Sequence, residues 1–127
     1  MHTMESAKTI LIIDDDARNI FALAATLKSK GFAYISCSEA TEAIRVLESD
    51  AAVDMVLIDM MMPDMDGYEA IPLMKRIKGR EHVPLIAVTA QAMTGDREKC
   101  IAAGADDYIS KPIDVDKLMQ VMDAYLN

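Results

Sequence analysis

Aspartates recur where apolar runs stop. Asp14, Asp15 and Asp16 close the run that starts at Thr9, and Asp59 closes Val56-Leu57-Ile58. Thr89 ends the run Leu85-Ile86-Ala87-Val88, and Lys111 follows Tyr108-Ile109-Ser110. Carboxylates gathered at one place repel one another, and their natural counter-ion is a hard, oxygen-seeking dication such as Mg²⁺ that keeps several waters. Together with a metal they favour an incoming phosphoryl oxygen. Lys111 brings a positive charge and Thr89 a hydroxyl donor, so a phosphoryl group on one carboxylate would be neutralised from two sides. Ala90, beside Thr89, keeps such a pocket open. A carboxylate can also act as a nucleophile and become an aspartyl phosphate, and Asp59 is the central candidate.

Asp59 alone carries little, because Asp is common where strands give way to loops. The elements around it carry more. The segment Met60 to Gly67 cannot continue a central strand, since Pro63 lacks an N–H and Gly67 marks a turn, so Asp59 stands at a strand's rim. Thr9 to Asp14 reads as a central parallel strand covered on both faces. Ala17 to Lys30 carries Ile20, Leu23, Ala24 and Leu27 at helical spacing, with Asp16 as its cap and Gly31 just after.

Ala33 to Cys37 is a second strand, and Ser38 is placed to cap a helix with the stripe Ala40, Ala43, Ile44 and Leu47. Tyr68 to Lys78 is a helix containing Pro72, which predicts a late start or a kink. Pro84 to Thr89 is a fourth strand, followed by a helix from Gly95-Asp96 through Cys100 and Ile101 to Gly104. Asp107 to Ser110 is a fifth strand. Asp114 caps a last helix with Val115, Leu118, Met119, Met122 and Leu126 on its inner face. Strands alternating with helices at short spacing imply an α/β doubly wound parallel sheet with right-handed crossovers. Ligands then bind beyond the carboxyl ends of the strands.

The chain has 127 residues and is 52% apolar, enough core for a single domain over residues 1–127, with 1–8 expected as a flexible N-terminus. A formal net charge of −8 argues against direct nucleic-acid binding. Cys37 and Cys100 are too isolated for a disulfide framework or zinc motif and read as reduced core residues. No apolar run is long enough to span a bilayer and Met1 to Lys8 lacks a signal-peptide core, so a cytoplasmic location without membrane insertion is expected.

Several features take plainer readings. Asp16 is a helix cap and stands outside the metal set. Asp64 to Gly67 is a turn plus cap, since the calcium-loop pattern with its later Glu is missing. Met60, Met61, Met62 and Met65 read as core gap-fillers, with an adaptable binding surface as the alternative. His2 and His82 have no second ligand nearby and read as exposed. The chain has no phosphate-binding glycine loop and no zincin motif, which weakens the case for a turnover enzyme.

Together these segments resemble a response-regulator receiver domain over essentially the whole length. I-I-D-D-D-A-R-N is similar to that family's first-strand acidic cluster and D-M-M-M-P-D-M-D-G to its phosphoacceptor loop. V-T-A resembles its fourth-strand end, and G-A-D-D-Y-I-S-K-P its fifth strand. The resemblance implies a five-stranded (βα)5 flavodoxin-like sheet in the order 2-1-3-4-5. It implies Asp59 as phosphoacceptor, Asp15 as direct Mg²⁺ ligand, Asp14 as holder of metal-bound water and Met61 as donor of a backbone carbonyl to the metal. It also implies Thr89 and Lys111 as the phosphoryl-contacting pair and a cis peptide at Lys111-Pro112.

Tyr108 is either a strand aromatic covering core or, as the resemblance implies, a switch that changes rotamer when Thr89 moves. The D-D-D-x-R-N-x-F-A-L start is similar to receivers of hybrid histidine kinases. The implied partners are a histidine kinase or histidine phosphotransfer protein, and a downstream protein meeting helix four, strand five and helix five. Two departures stand out: Met61 where many receivers carry a polar side chain beside the attacking water, and Pro72 in a helix usually free of proline. A phosphorylation-independent binding module is a second reading, favoured only if Asp59, Thr89 or Lys111 were missing. A flavodoxin-like electron carrier is a third, and three aspartates after strand one would repel its cofactor phosphate.

Overall fold

In the computed structural model, residues 7–90 and 95–126 are described. Its apolar, β-branched runs form β1 (Thr9–Ile13), β2 (Ala33–Cys37), β3 (Met55–Asp59), β4 (Leu85–Thr89) and β5 (Asp107–Ser110). They make one parallel sheet in the order β2-β1-β3-β4-β5, as the resemblance implies. β3 and β4 are buried along their whole length, which explains why their sequences read as continuous rather than alternating.

Alternation reappears in which helix each side chain meets. Ile10, Ile12, Leu57, Ile86 and Val88 pack with Leu27 of α1 (Ala17–Ser29) and with Leu118 and Met122 of α5 (Val115–Leu126). Leu11, Ile13, Val56, Ile58 and Ala87 pack on the other face. Their partners there are Leu47 of α2 (Ala40–Glu48), Ile71 and Met74 of α3 (Gly67–Lys75), and Cys100 of α4 (Asp96–Ala103).

Helix ends follow their caps, with two corrections. Asp16 caps α1 by accepting from the Arg18 N–H, and Gly104 ends α4, both as expected. α2 is not capped by Ser38: Glu39 is the N-cap without a side-chain bond, and Ser38 instead donates its N–H to Glu42 Oε1 at 3.2 Å. α3 does not start late. Asp66 accepts from the Glu69 N–H at 3.0 Å and nucleates the helix at Gly67. Pro72 therefore falls inside α3, which ends at Lys75, short of the expected Lys78. Arg76 caps that end.

Beyond α3, Arg80 reaches back to carbonyls at and just past the end of α2. Its Nε donates to Leu47 O at 2.9 Å, and its Nη2 to Ser49 O at 2.9 Å and Ala51 O at 2.6 Å. A planar guanidinium can satisfy several orphan carbonyls at once, which pins α2 to the α3–β4 connection. The methionines divide: Met60 and Met62 are buried core, Met65 packs against it, and Met61 is 54% exposed. His82 is exposed, Cys37 and Cys100 are buried free thiols, and His2 lies outside the described residues. Among the described residues no helix is long and apolar enough to cross a membrane.

Candidate functional site

Parallel pairing brings the strand ends to one rim. Ile13 pairs with Ile58, Asp59 with Val88 and Thr89 with Ser110, so the residues that follow or close these strands meet beside the reversal in strand order. Asp14 leaves β1 with its N–H still bonded to Cys37 O at 3.1 Å. Asp59 is the last residue of β3, and the Met60 N–H donates to Val88 O at 2.9 Å before the chain turns away.

Oxygens of Asp14, Asp15 and Asp59 lie within 4.8 Å of one another. Asp14 and Asp59 are buried, whereas Asp15 faces solvent. Lys111 Nζ stands 3.4 Å from Asp59 Oδ2 and 3.6 Å from Asp14 Oδ2, bridging the two buried carboxylates. The Met61 N–H donates to Asp59 Oδ1 at 3.0 Å, which leaves Oδ2 as the oxygen turned to the cation. Thr89 is almost fully buried and its carbonyl accepts from the Lys111 N–H at 2.7 Å, tying the ends of β4 and β5 together. The Lys111-Pro112 peptide is cis.

Asp14 is held from several sides. Its Oδ1 accepts from the Asp16 N–H at 2.9 Å and its Oδ2 from Asn19 Nδ2 at 3.4 Å. Burial raises its pKa above the ordinary carboxylate range. The Asp16 N–H opposes that rise, the Asp59 charge adds to it, and Lys111 and Asn19 counter it. A carboxylate in that position favours a cation as neighbour. Asp16 is the α1 cap and its carboxyl is held below the usual range by bonds from Arg18, so it takes no part in the cluster.

The donor set is all oxygen, partly buried and open to water through Asp15, which fits Mg²⁺. When bound there, Mg²⁺ would supply charge neutralisation for phosphoryl oxygens beside Asp59. Lys111 lies against Asp59, and Thr89, at the end of β4, is tied to Lys111 by its backbone carbonyl. Tyr108 is half-buried against the core on the α2–α4 side. Its neighbour Ile109 packs on the opposite face with Val88, so strand alternation puts Tyr108 and Thr89 on one face, diagonally across β4 and β5.

Two contributors escaped the sequence reading. Asn19 was visible as the polar residue one helical turn past Asp15, but nothing in its type told a helix surface from a carboxylate partner. Gly67 read as a turn marker, yet a Cβ there would meet Met60 Sδ and stand 2.9 Å from Met60 Cα. Its bareness lets α3 pack against the residue that follows Asp59.

A comparison with protein families matches residues 10–123 to the response regulator receiver domain. The signal transduction histidine-protein kinase BarA of Escherichia coli is 34% identical over 119 residues, which cover 94% of this chain and 13% of that protein. The polar-differentiation response regulator DivK of Brucella ovis is 32% identical over 119 residues, covering 94% of this chain and 96% of that protein. Among solved structures, the receiver domain of a sensor histidine kinase from Pseudomonas aeruginosa superposes with a TM-score of 0.86 at 31% identity, covering 95% of this chain and 98% of that one. That structure has a magnesium ion coordinated in its active site cleft.

Proposed function

The chain belongs to the response regulator receiver domain family, and from that premise we propose that it accepts a phosphoryl group from a phosphohistidine donor onto Asp59 and changes its protein contacts in response. The observation that carries this reading is the meeting of Asp14, Asp15 and Asp59 within 4.8 Å, with Lys111 Nζ 3.4 Å from Asp59.

Asp59 Oδ2 is the nucleophile. It attacks phosphorus, and the bond to the donor imidazole breaks as the new oxygen–phosphorus bond forms. Lys111 then moves its charge from the bare carboxylate to the phosphoryl oxygens, and the Thr89 hydroxyl donates to another of them. Asp14, Asp15 and Asp59, with the Met61 carbonyl, would hold Mg²⁺, which would supply charge neutralisation for the phosphoryl oxygens. The chain catalyses only its own phosphorylation and dephosphorylation, and so is not a turnover enzyme.

Residues 1–127 act as one domain. The donor is a histidine kinase or histidine phosphotransfer protein in the cytoplasm, and the readout surface is formed by α4, β5 and α5, without nucleic-acid contact or membrane insertion. As Thr89 turns to the phosphoryl group, Tyr108 follows into the space it leaves. The phosphoryl group shifts this equilibrium only because it bonds Thr89 in one state and not the other. Thr89→Ala is therefore expected to accept phosphate yet lose the change in amide exchange over residues 105–110, and an undiminished change would refute the coupling.

Intact-mass analysis after incubation with a small acyl phosphate tests the central step. One phosphoryl adduct is expected with Mg²⁺, and none in EDTA or in Asp59→Asn. An adduct of equal yield in either control would overturn the assignment.

A further inference from the structure

The sheet face covered by α1 and α5 is not closed beside the carboxylates. A groove of about 520 Å³ runs between the two helices from Asp14, Asp59 and Lys111. Its floor is apolar and buried, made by Ile12, Leu57, Val88 and Leu118. It stays open because of what α1 presents. Asn19, Ala22, Leu23 and Thr26 line it from α1, and at Ala22 and Thr26 the side chains are short where Leu or Met would reach toward Ile113 and Val115. Val115, which also lines the groove, is 41% exposed. A volume of that size, apolar over most of its wall with a few polar groups converging at one end, has the form of a small-molecule site.

The polar end selects the ligand's charge. Asp14, Asp15 and Asp59 bring three negative charges against the single ammonium of Lys111, a formal balance of −2 on a chain already at −8. Without a metal an anionic head is repelled there, and a neutral one cannot offset the charge it displaces from water. A single cation can pair with Asp59 and Asp14 while its apolar body covers Leu57 and Val88.

We propose that the α1–α5 groove binds a small molecule with an apolar body and one cationic head, of the arylalkyl-ammonium class. Its head competes with Mg²⁺ at Asp14 and Asp59, so occupancy stops phosphoryl acceptance. This regulatory half rests on the reading of Asp59 as acceptor, whereas the binding itself does not.

The test titrates 4-phenylbutylammonium into the whole chain by calorimetry in EDTA, with 4-phenylbutanol and 4-phenylbutyrate as matched probes. The ammonium is expected to bind several-fold tighter than either. Ala22→Leu fills the groove away from the carboxylates and adds a good helix former at an exposed position, so Mg²⁺ affinity and melting temperature should persist. Binding of the ammonium should weaken by about tenfold or more in that variant, as crowding of an apolar pocket does. Mg²⁺ at ten times its own Kd should weaken it by about tenfold through competition alone.

Equal binding of the three probes, indifference to Ala22→Leu, or indifference to Mg²⁺ would each overturn the proposal. Phosphorylation by an acyl phosphate is read separately with and without the probe. If Asp59 accepts nothing even without the probe, the proposed function fails and takes the regulatory half with it, while the titrations alone decide the binding.

Discussion

Asp59→Asn should raise the melting temperature of the protein in EDTA and shrink its response to Mg²⁺. The substitution removes one charge and keeps an oxygen in place to accept from the Met61 N–H, now 3.0 Å from Asp59 Oδ1. Asp59 lies within 4.8 Å of both Asp14 and Asp15 and 3.4 Å from the Lys111 ammonium. At an effective dielectric of about 20, each like-charge pair at that limit costs about 3.5 kcal/mol, whereas Lys111 returns about 5 kcal/mol. The balance runs about 2 kcal/mol against Asp59, and solvent screening of the exposed Asp15 reduces it to about 1 kcal/mol.

For a domain of this length, about 1 kcal/mol is a rise of about 3–5 °C. Mg²⁺ at ten times Kd adds about 1.4 kcal/mol to the wild type, and less to a variant that has lost a ligand. Calorimetric melting of both proteins, in EDTA and in excess Mg²⁺ at matched ionic strength, reads both effects. An Asp59→Asn protein that melts lower in EDTA and gains as much from Mg²⁺ would show that these carboxylates do not act as one site.

Gly67→Ala should lower the urea midpoint by the equivalent of about 1–3 kcal/mol and weaken Mg²⁺ binding, because its Cβ has to displace Met60 backbone as well as sulfur. Unchanged values for both would remove Gly67 from the site's support. Arg80→Ala should cost about 1–3 kcal/mol by leaving three carbonyls at and past the end of α2 without their donor, and Arg80→Lys should recover only part of it; equal stability of Lys and Arg would contradict the fork. Met61→Asn or Met61→Lys should change the dephosphorylation rate, since the exposed thioether cannot orient an attacking water by donating to it, and rates equal to wild type in both would refute this.

Tyr68 is pushed up to about 12 by burial, with Cys100 beside it. The folded state thus holds its proton more tightly than the unfolded chain, and that stabilisation is full below about pH 10 and is lost as pH rises toward 12. Tyr68→Phe should flatten the alkaline stability profile across that window, and an unchanged slope would exclude Tyr68 as its source.

How much of this was legible in the sequence depends on what kind of interaction holds each part. β3 and β4 were readable because a strand buried on both faces needs an unbroken apolar run, and the rim was readable because the runs stop at Asp59 and Thr89. Asp16 and Asp114 were readable as caps because a carboxylate there has a local donor, the Arg18 N–H in one case and the Asp116 N–H in the other. Local rules failed where two local signals competed. Ser38 is a good cap by type, yet Glu42 reaches back to its N–H and the helix begins after Glu39. Pro72 argues against a helix start at Gly67, yet the Asp66 cap and burial of Ala70, Ile71 and Met74 outweigh one missing backbone bond.

Contacts between residues distant in sequence left no local mark. Nothing near Arg80 announces that it serves Leu47, Ser49 and Ala51, and nothing near Ala22 announces a groove, because both facts belong to pairs of elements. Met61 shows the same limit from the opposite side. Its neighbours Met60 and Met62 are core, and only the turn at the end of β3 decides that the residue between them points outward beside Asp59. The candidate site was written at strand ends, where residue type and position coincide, whereas the groove beside it depends on how α1 and α5 pack. Variation at Ala22 and Thr26 therefore reshapes the groove beside Asp59 while leaving the carboxylates and Lys111 in place.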